Sequence, residues 1–150
     1  MQKTELVYGL PWLQTKPERA IFDELQFACV YAAGPLGGRP LRLGASTNLK
    51  KRIECLQPGS WEPLKIHHAI WTTNEAFAVR IFNDSAALFD KAKRRLVGDW
   101  FDVTPEFAVQ AIRLAGEKAN VPMLSHDGLL EKVRAIREKR LNSGIVVRKR

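Results

Sequence analysis

Apolar positions along this chain change their period several times, and each change marks an element. Between Pro17 and Leu25, residues Ile21, Phe22 and Leu25 share one face at helical spacing. Phe27 to Ala33 is instead a compact apolar run with Val30 and Tyr31. The turn-forming stretch from Gly34 to Pro40 then reverses the chain into a second predicted strand, Leu41 to Ala45. Ser46, Thr47 and Asn48 offer caps for a helix that keeps Leu49, Ile53 and Leu56 on one side and stops at Pro58-Gly59. A third strand is predicted over Leu64 to Thr72. The longest helical pattern follows, from Asn74 to Leu96, with Phe77, Ile81, Ser85, Leu88, Ala92 and Leu96 as its stripe. Gly98-Asp99-Trp100-Phe101 breaks that helix, and Thr104-Pro105 reads as a cap and a first-turn proline of the next, which runs to about Lys118. A last pattern, from Ser125 past Leu141, sets Leu129, Leu130, Val133 and Ile136 against a basic side.

The order strand, strand, helix, strand, helix predicts an α+β domain over residues 27–119. Residues 1–26 form an N-terminal extension and residues 120–150 a basic helical C-terminal extension. The chain has 150 residues, enough for one domain with a real core. Its 24 Lys and Arg against 16 Asp and Glu give a net charge of +8, so polyanions are the first partners to consider. DNA comes first and RNA second. Cys29 and Cys55 lack the spacing of a zinc site or a disulfide framework, which suits a reducing compartment. No window has the length or apolarity of a membrane span and the start lacks a secretory pattern, so a cytoplasmic protein without a membrane partner is expected.

The segment Cys29-Val30-Tyr31, followed after ten residues by Arg42-Leu43-Gly44 and then by Asn48-Leu49-Lys50-Lys51-Arg52, resembles the GIY-YIG nuclease superfamily. The likeness is to its branch with a basic residue in place of the second-motif tyrosine, and Gly98-Asp99-Trp100-Phe101 extends it. The resemblance implies a small three-stranded antiparallel sheet flanked by helices. It also implies a metal-dependent endonuclease that hydrolyses DNA phosphodiesters with Mg²⁺ or Mn²⁺. In such a site Tyr31 activates or positions the attacking water, Arg52 holds the scissile phosphate, and Arg42 stands for the second tyrosine. A glutamate on the second long helix binds the ion, and here the chain departs from the pattern. Glu75 is too early on that helix and no other glutamate precedes Gly98, which leaves Asp84, about 60° from Ile81 around the helix, as the substitute ligand. The departure motivates an alternative: a catalytically inactive nucleic-acid-binding or protein-interaction module.

Plainer readings stand beside these. Tyr31 is also suited to pack its ring in the core, Arg52 to sit in a solvated basic face, and Asp84 to pair with Arg80 at i,i+4. His67 and His68, adjacent in a strand, face opposite sides and cannot form a paired metal site. Lys50 and Lys51 extend the basic face of the Arg52 helix. Glu131 to Arg150 holds eight Lys and Arg against two acids. From that tail Lys132, Arg134, Arg137 and Arg140, with Lys139, are expected to track a nucleic-acid backbone.

Overall fold

The computed structural model describes residues 6–148. Residues 1–5 and 149–150, the outer ends of the two expected extensions, lie outside them. Four helices begin where a short polar side chain accepts from an otherwise orphaned amide. Thr15 accepts from the Glu18 amide ahead of α1 (Lys16–Leu25) and Asn48 from Lys51 ahead of α2 (Leu49–Leu56). Asn74 accepts from Phe77 ahead of α3 (Glu75–Lys91), and Thr104 from Phe107 ahead of α4 (Pro105–Lys118). The fifth helix, α5, spans His126–Arg148.

The class is α+β, but the sheet has five strands instead of the expected three. The expected strands are its centre: β3 (Ala28–Pro35) lies between β4 (Leu41–Ser46) and β5 (Leu64–Thr72), antiparallel to both. Two-residue strands extend the edges, β6 (Trp100–Phe101) beside β4 and β7 (Leu124–Ser125) beside β5. A separate hairpin of β1 (Leu6–Val7) and β2 (Leu10–Pro11) precedes them, turned by Tyr8 and Gly9 at positive φ. Elements of two residues carry no readable period, which is why the sequence pattern does not announce them.

The expected continuation of the long helix to Leu96 is also corrected. α3 ends at Lys91, Lys93 takes the left-handed conformation, and Arg95 pairs with Phe101 as a β-bridge. The Arg95 guanidinium explains the stop. It grips the Asp90 carboxylate at 2.6 and 3.1 Å, donates to the Gly98 carbonyl, and lies 4.8 Å from the Phe101 ring centre. Leu88 and Leu96 are exposed; the buried face of α3 is Ala78, Ile81, Ser85, Ala86 and Phe89.

Both faces of the sheet are covered, so β3 is buried along nearly all of its length. Ala28, Val30 and Ala32 join Leu41, Leu43 and the apolar sides of α3 and α4 in one core. Cys29, Tyr31 and Ala33 join Ile66, Ala69 and Trp71 in a second, closed by Ile21 and Phe22 of α1, Leu49 and Ile53 of α2, and Leu129, Leu130 and Val133 of α5. The terminal segments are tied into this second core by polar contacts as well. The Trp71 indole donates to His126 Nδ1 at 3.2 Å, which leaves the proton of His126 on Nε2, donated to the Pro11 carbonyl at 2.6 Å. No helix among the described residues is long and apolar enough to cross a membrane.

Burial pushes the Cys29 thiol up to about 12, whereas Cys55 is exposed. Native protein titrated with a thiol reagent near neutral pH is therefore expected to react once, at Cys55. A second equivalent should appear only on unfolding; rapid reaction of both would show that the β3 core opens.

Candidate functional site

Strand alternation decides which residues share a face, and cross-strand partners share it too. Tyr31 pairs with Gly44, and Ala33 with Arg42, so Tyr31, Gly44 and Arg42 all lie on the side that α2 covers. Arg52 belongs to that helix. The residues expected at a phosphodiester, Asp84 excepted, thus lie on one side of the sheet, with Tyr31 buried beneath α2 and Arg52 on the solvent side of that helix.

The contact between Tyr31 and Gly44 is the tightest feature of the site. A Cβ on Gly44 would overlap the Tyr31 hydroxyl and come within 2.7 Å of Cε2, so the glycine is the space in which the tyrosine ring lies. Tyr31 is fully buried, and its hydroxyl is sealed from solvent without a hydrogen bond to any described residue. A water-activating group must reach both water and phosphate. Tyr31 in this position reaches neither.

Arg42 has Trp100 on its other side as β-sheet partner. Its Nη2 lies 3.8 Å from the Asp99 carboxylate, while Nε is buried with no described hydrogen-bond partner. Asp99 in turn lies 3.6 Å from Arg95, and its backbone carbonyl accepts from the Leu43 amide at 3.0 Å. The Gly98-Asp99-Trp100-Phe101 segment therefore closes the sheet edge against Arg42-Leu43-Gly44. Asp99 is the carboxylate that approaches Arg42, and the sequence signal for it was its place within that segment.

On α2, Leu49 and Ile53 face the core while Lys50, Lys51 and Arg52 are all exposed. At about 100° per residue the three cations fan around the solvent side of the first turn. None of them forms an ion pair with a described residue. No acidic residue occupies that first turn.

Asp84 lies elsewhere. It is exposed on α3, which packs on the opposite face of the sheet from Tyr31. There it lines a groove of about 950 Å³ between α3 and α4, with Arg80, Leu88, Lys91, Leu114 and Lys118. Among the described residues no three His, Cys, Asp or Glu side chains come together. Mg²⁺ and Mn²⁺ need oxygen ligands converging near 2.1 Å. The residues present do not fit one such ion shared by Tyr31, Arg52 and Asp84, because the sheet stands between them.

The basic tail is also used differently from the expectation. Arg134 and Arg137 turn to the nearly buried Glu18 at 3.9 and 3.7 Å, and Arg137 donates to the Thr15 hydroxyl at 3.1 Å. Arg140 grips Glu24 with two bonds, at 2.9 and 3.3 Å, and so holds that carboxyl below its usual range. These three arginines dock α5 on α1. Lys132 and Lys139 are exposed and without an ion pair to a described residue.

His67 Nε2 lies 2.8 Å from the Pro35 carbonyl, to which it donates. His68 pairs across the sheet with Ala32 and is half-buried on the α3/α4 side, where burial lowers its pKa below the ordinary 6.5. The neutral ring is the folded form. Between the lowered value and 6.5 the unfolded chain binds the extra proton, so stability is full above pH 6.5 and is lost as pH falls below it. Thermal melts of wild type and His68→Gln across that window should show a shallower acid limb in the variant; parallel limbs would contradict the assignment.

No family model, curated protein or solved structure matches this chain.

Proposed function

We propose that this is a GIY-YIG-like domain that binds nucleic acid through the α2 cations and does not hydrolyse it. The observation that carries the reading is the first turn of α2, where three exposed, unpaired cations sit at the positive end of a helix. The helix dipole disfavours cations there and favours anions. Three of them in succession weaken the helix, and a polyanion laid across that turn relieves the repulsion by accepting both the side chains and the free amides. DNA is the first ligand to test and RNA the second.

The proposal of a GIY-YIG relationship rests on four short motifs in order, Cys29-Val30-Tyr31, Arg42-Leu43-Gly44, Arg52 and Gly98-Asp99-Trp100-Phe101. It is supported by the pairing of Tyr31 with Gly44 and of Arg42 with Trp100. The silence toward phosphodiesters follows from a sealed Tyr31 hydroxyl and from the lack of fit to the ion. In this reading Tyr31 serves packing, Arg42 serves the sheet edge, and only Arg52 of the expected catalytic trio meets the ligand.

Supercoiled plasmid incubated with the protein in Mg²⁺, in Mn²⁺ and in EDTA tests the silence directly. The plasmid should be retarded on a gel before deproteinisation and fully supercoiled after it. Nicking that requires metal and is lost in both Arg52→Ala and Asp84→Ala would overturn this reading in favour of the endonuclease.

A further inference from the structure

The loop between α2 and β5 holds the most exposed large apolar side chain of the described residues. Trp61 is 92% exposed, whereas Trp71 is buried and Trp12 and Trp100 pack against the second core. An indole left in water contributes little to folding, so its setting needs another account.

That setting is built. A single 3-10 turn, Gln57–Gly59, follows α2, and the Gln57 side-chain amide reaches past Trp61 to hold the chain on its C-terminal side. Its Nε2 donates to the Glu62 carbonyl at 3.0 Å and its Oε1 accepts from the Leu64 amide at 2.8 Å. The Ser60 hydroxyl donates to the same Glu62 carbonyl at 2.8 Å and accepts from the Glu62 amide at 3.3 Å, while the Ser60 amide donates to the Gln57 carbonyl at 3.0 Å. Five hydrogen bonds within eight residues thus fix a loop whose tip does nothing for the core. The charges around the loop are few: Glu62 and Lys65 are half-buried, Glu54 is exposed on α2, and Lys50, Lys51 and Arg52 are exposed at the start of that helix.

A two-sided aromatic plane carried on a hydrogen-bonded loop, just beyond a helix that starts with three cations, has the two parts needed to hold a strand with unpaired bases. The cations take phosphates and the ring takes a base face. A duplex offers phosphates but no free base face. We infer that Trp61 is a stacking platform for an unpaired nucleobase, and that the domain prefers single-stranded nucleic acid, or single-stranded junctions, over plain duplex. This rests on the nucleic-acid reading of α2 and names its substrate class.

The test is fluorescence anisotropy with labelled poly-dT and with a labelled duplex of equal length, at one low salt concentration, for wild type, Trp61→Ala, Trp61→Leu and Trp61→Phe. Wild type should bind poly-dT more tightly than duplex. Trp61→Ala and Trp61→Leu should each weaken poly-dT binding by about tenfold and leave duplex binding unchanged, with Trp61→Phe in between. The leucine variant keeps apolar bulk without a π-face, so it separates stacking from simple apolar contact. Binding of both ligands with no effect of Trp61→Ala, or an equal loss on both, overturns the platform and leaves the α2 reading intact. No binding of either ligand by folded wild type overturns both. Because Trp61 is solvated, unchanged melting curves are expected for all three variants.

Discussion

Gly44→Ala is expected to destabilise the protein by about 3 kcal/mol, a large share of the stability of a domain of this size. The added methyl would overlap the Tyr31 hydroxyl, and the tyrosine is fully buried in the core that also holds Leu49 and Ile53. A rigid ring in a close-packed core has few ways to yield. The partner substitution identifies the cause. Tyr31→Leu alone should cost about 2 kcal/mol, yet it should make Gly44→Ala much cheaper, a coupling that only touching residues show. Tyr31→Phe should be neutral or stabilising by about 1 kcal/mol, since the hydroxyl it removes is buried without a partner. Urea melts of wild type, the three single variants and the Tyr31→Leu/Gly44→Ala double variant check this. Additive losses would mean that the two residues do not share space as described.

The second large effect is on binding. Replacing Lys50, Lys51 and Arg52 together by alanine should lower affinity for DNA by about 100-fold at low salt and reduce the slope of log K against log salt by about 2. The same variant should melt higher than wild type. It removes three like charges from the positive end of α2 and inserts the best helix former. Lost affinity with gained stability is the signature of residues kept for a ligand. Arg137→Ala should behave in the opposite way, because that side chain holds α5 to α1 through Glu18 and Thr15. It should lose about 1 kcal/mol of stability and retain DNA binding. Anisotropy titrations and thermal melts on the same samples separate the two classes; a triple variant that binds as wild type would remove the α2 assignment.

Much of the fold was legible in the sequence because its central elements are long enough to repeat a period. The three long strands and the capped starts of α2 and α4 follow from local rules. Elements of two residues have no period, and the end of α3 at Lys91 depends on a guanidinium that reaches both a helix carboxylate and a loop carbonyl. The site was legible in part for a similar reason. Strand alternation puts Tyr31, Arg42 and Gly44 on one face, and the sequence order adds Arg52. The Asp84 expectation shows the limit. Its angle from Ile81 placed it on the flank of the apolar stripe, but a helical wheel does not say which element lies beside that flank. Here the neighbour is α4, on the far side of the sheet. Charge patterning had the same blind spot in α5, where Arg134, Arg137 and Arg140 look like a polyanion track in sequence and are engaged by Glu18 and Glu24 in space. Trp61 carried no signal of its own: it lies between Pro58-Gly59, which stops α2, and β5, in a stretch too short to repeat a period.

The most direct measurement is a salt titration of wild-type binding to labelled DNA in EDTA. Tight binding at low salt, with log K falling linearly against log salt and by about 2 less steeply in the α2 triple variant, is the result predicted here. Absence of binding at low salt by folded protein, or binding that ignores both salt and the α2 cations, would contradict the account.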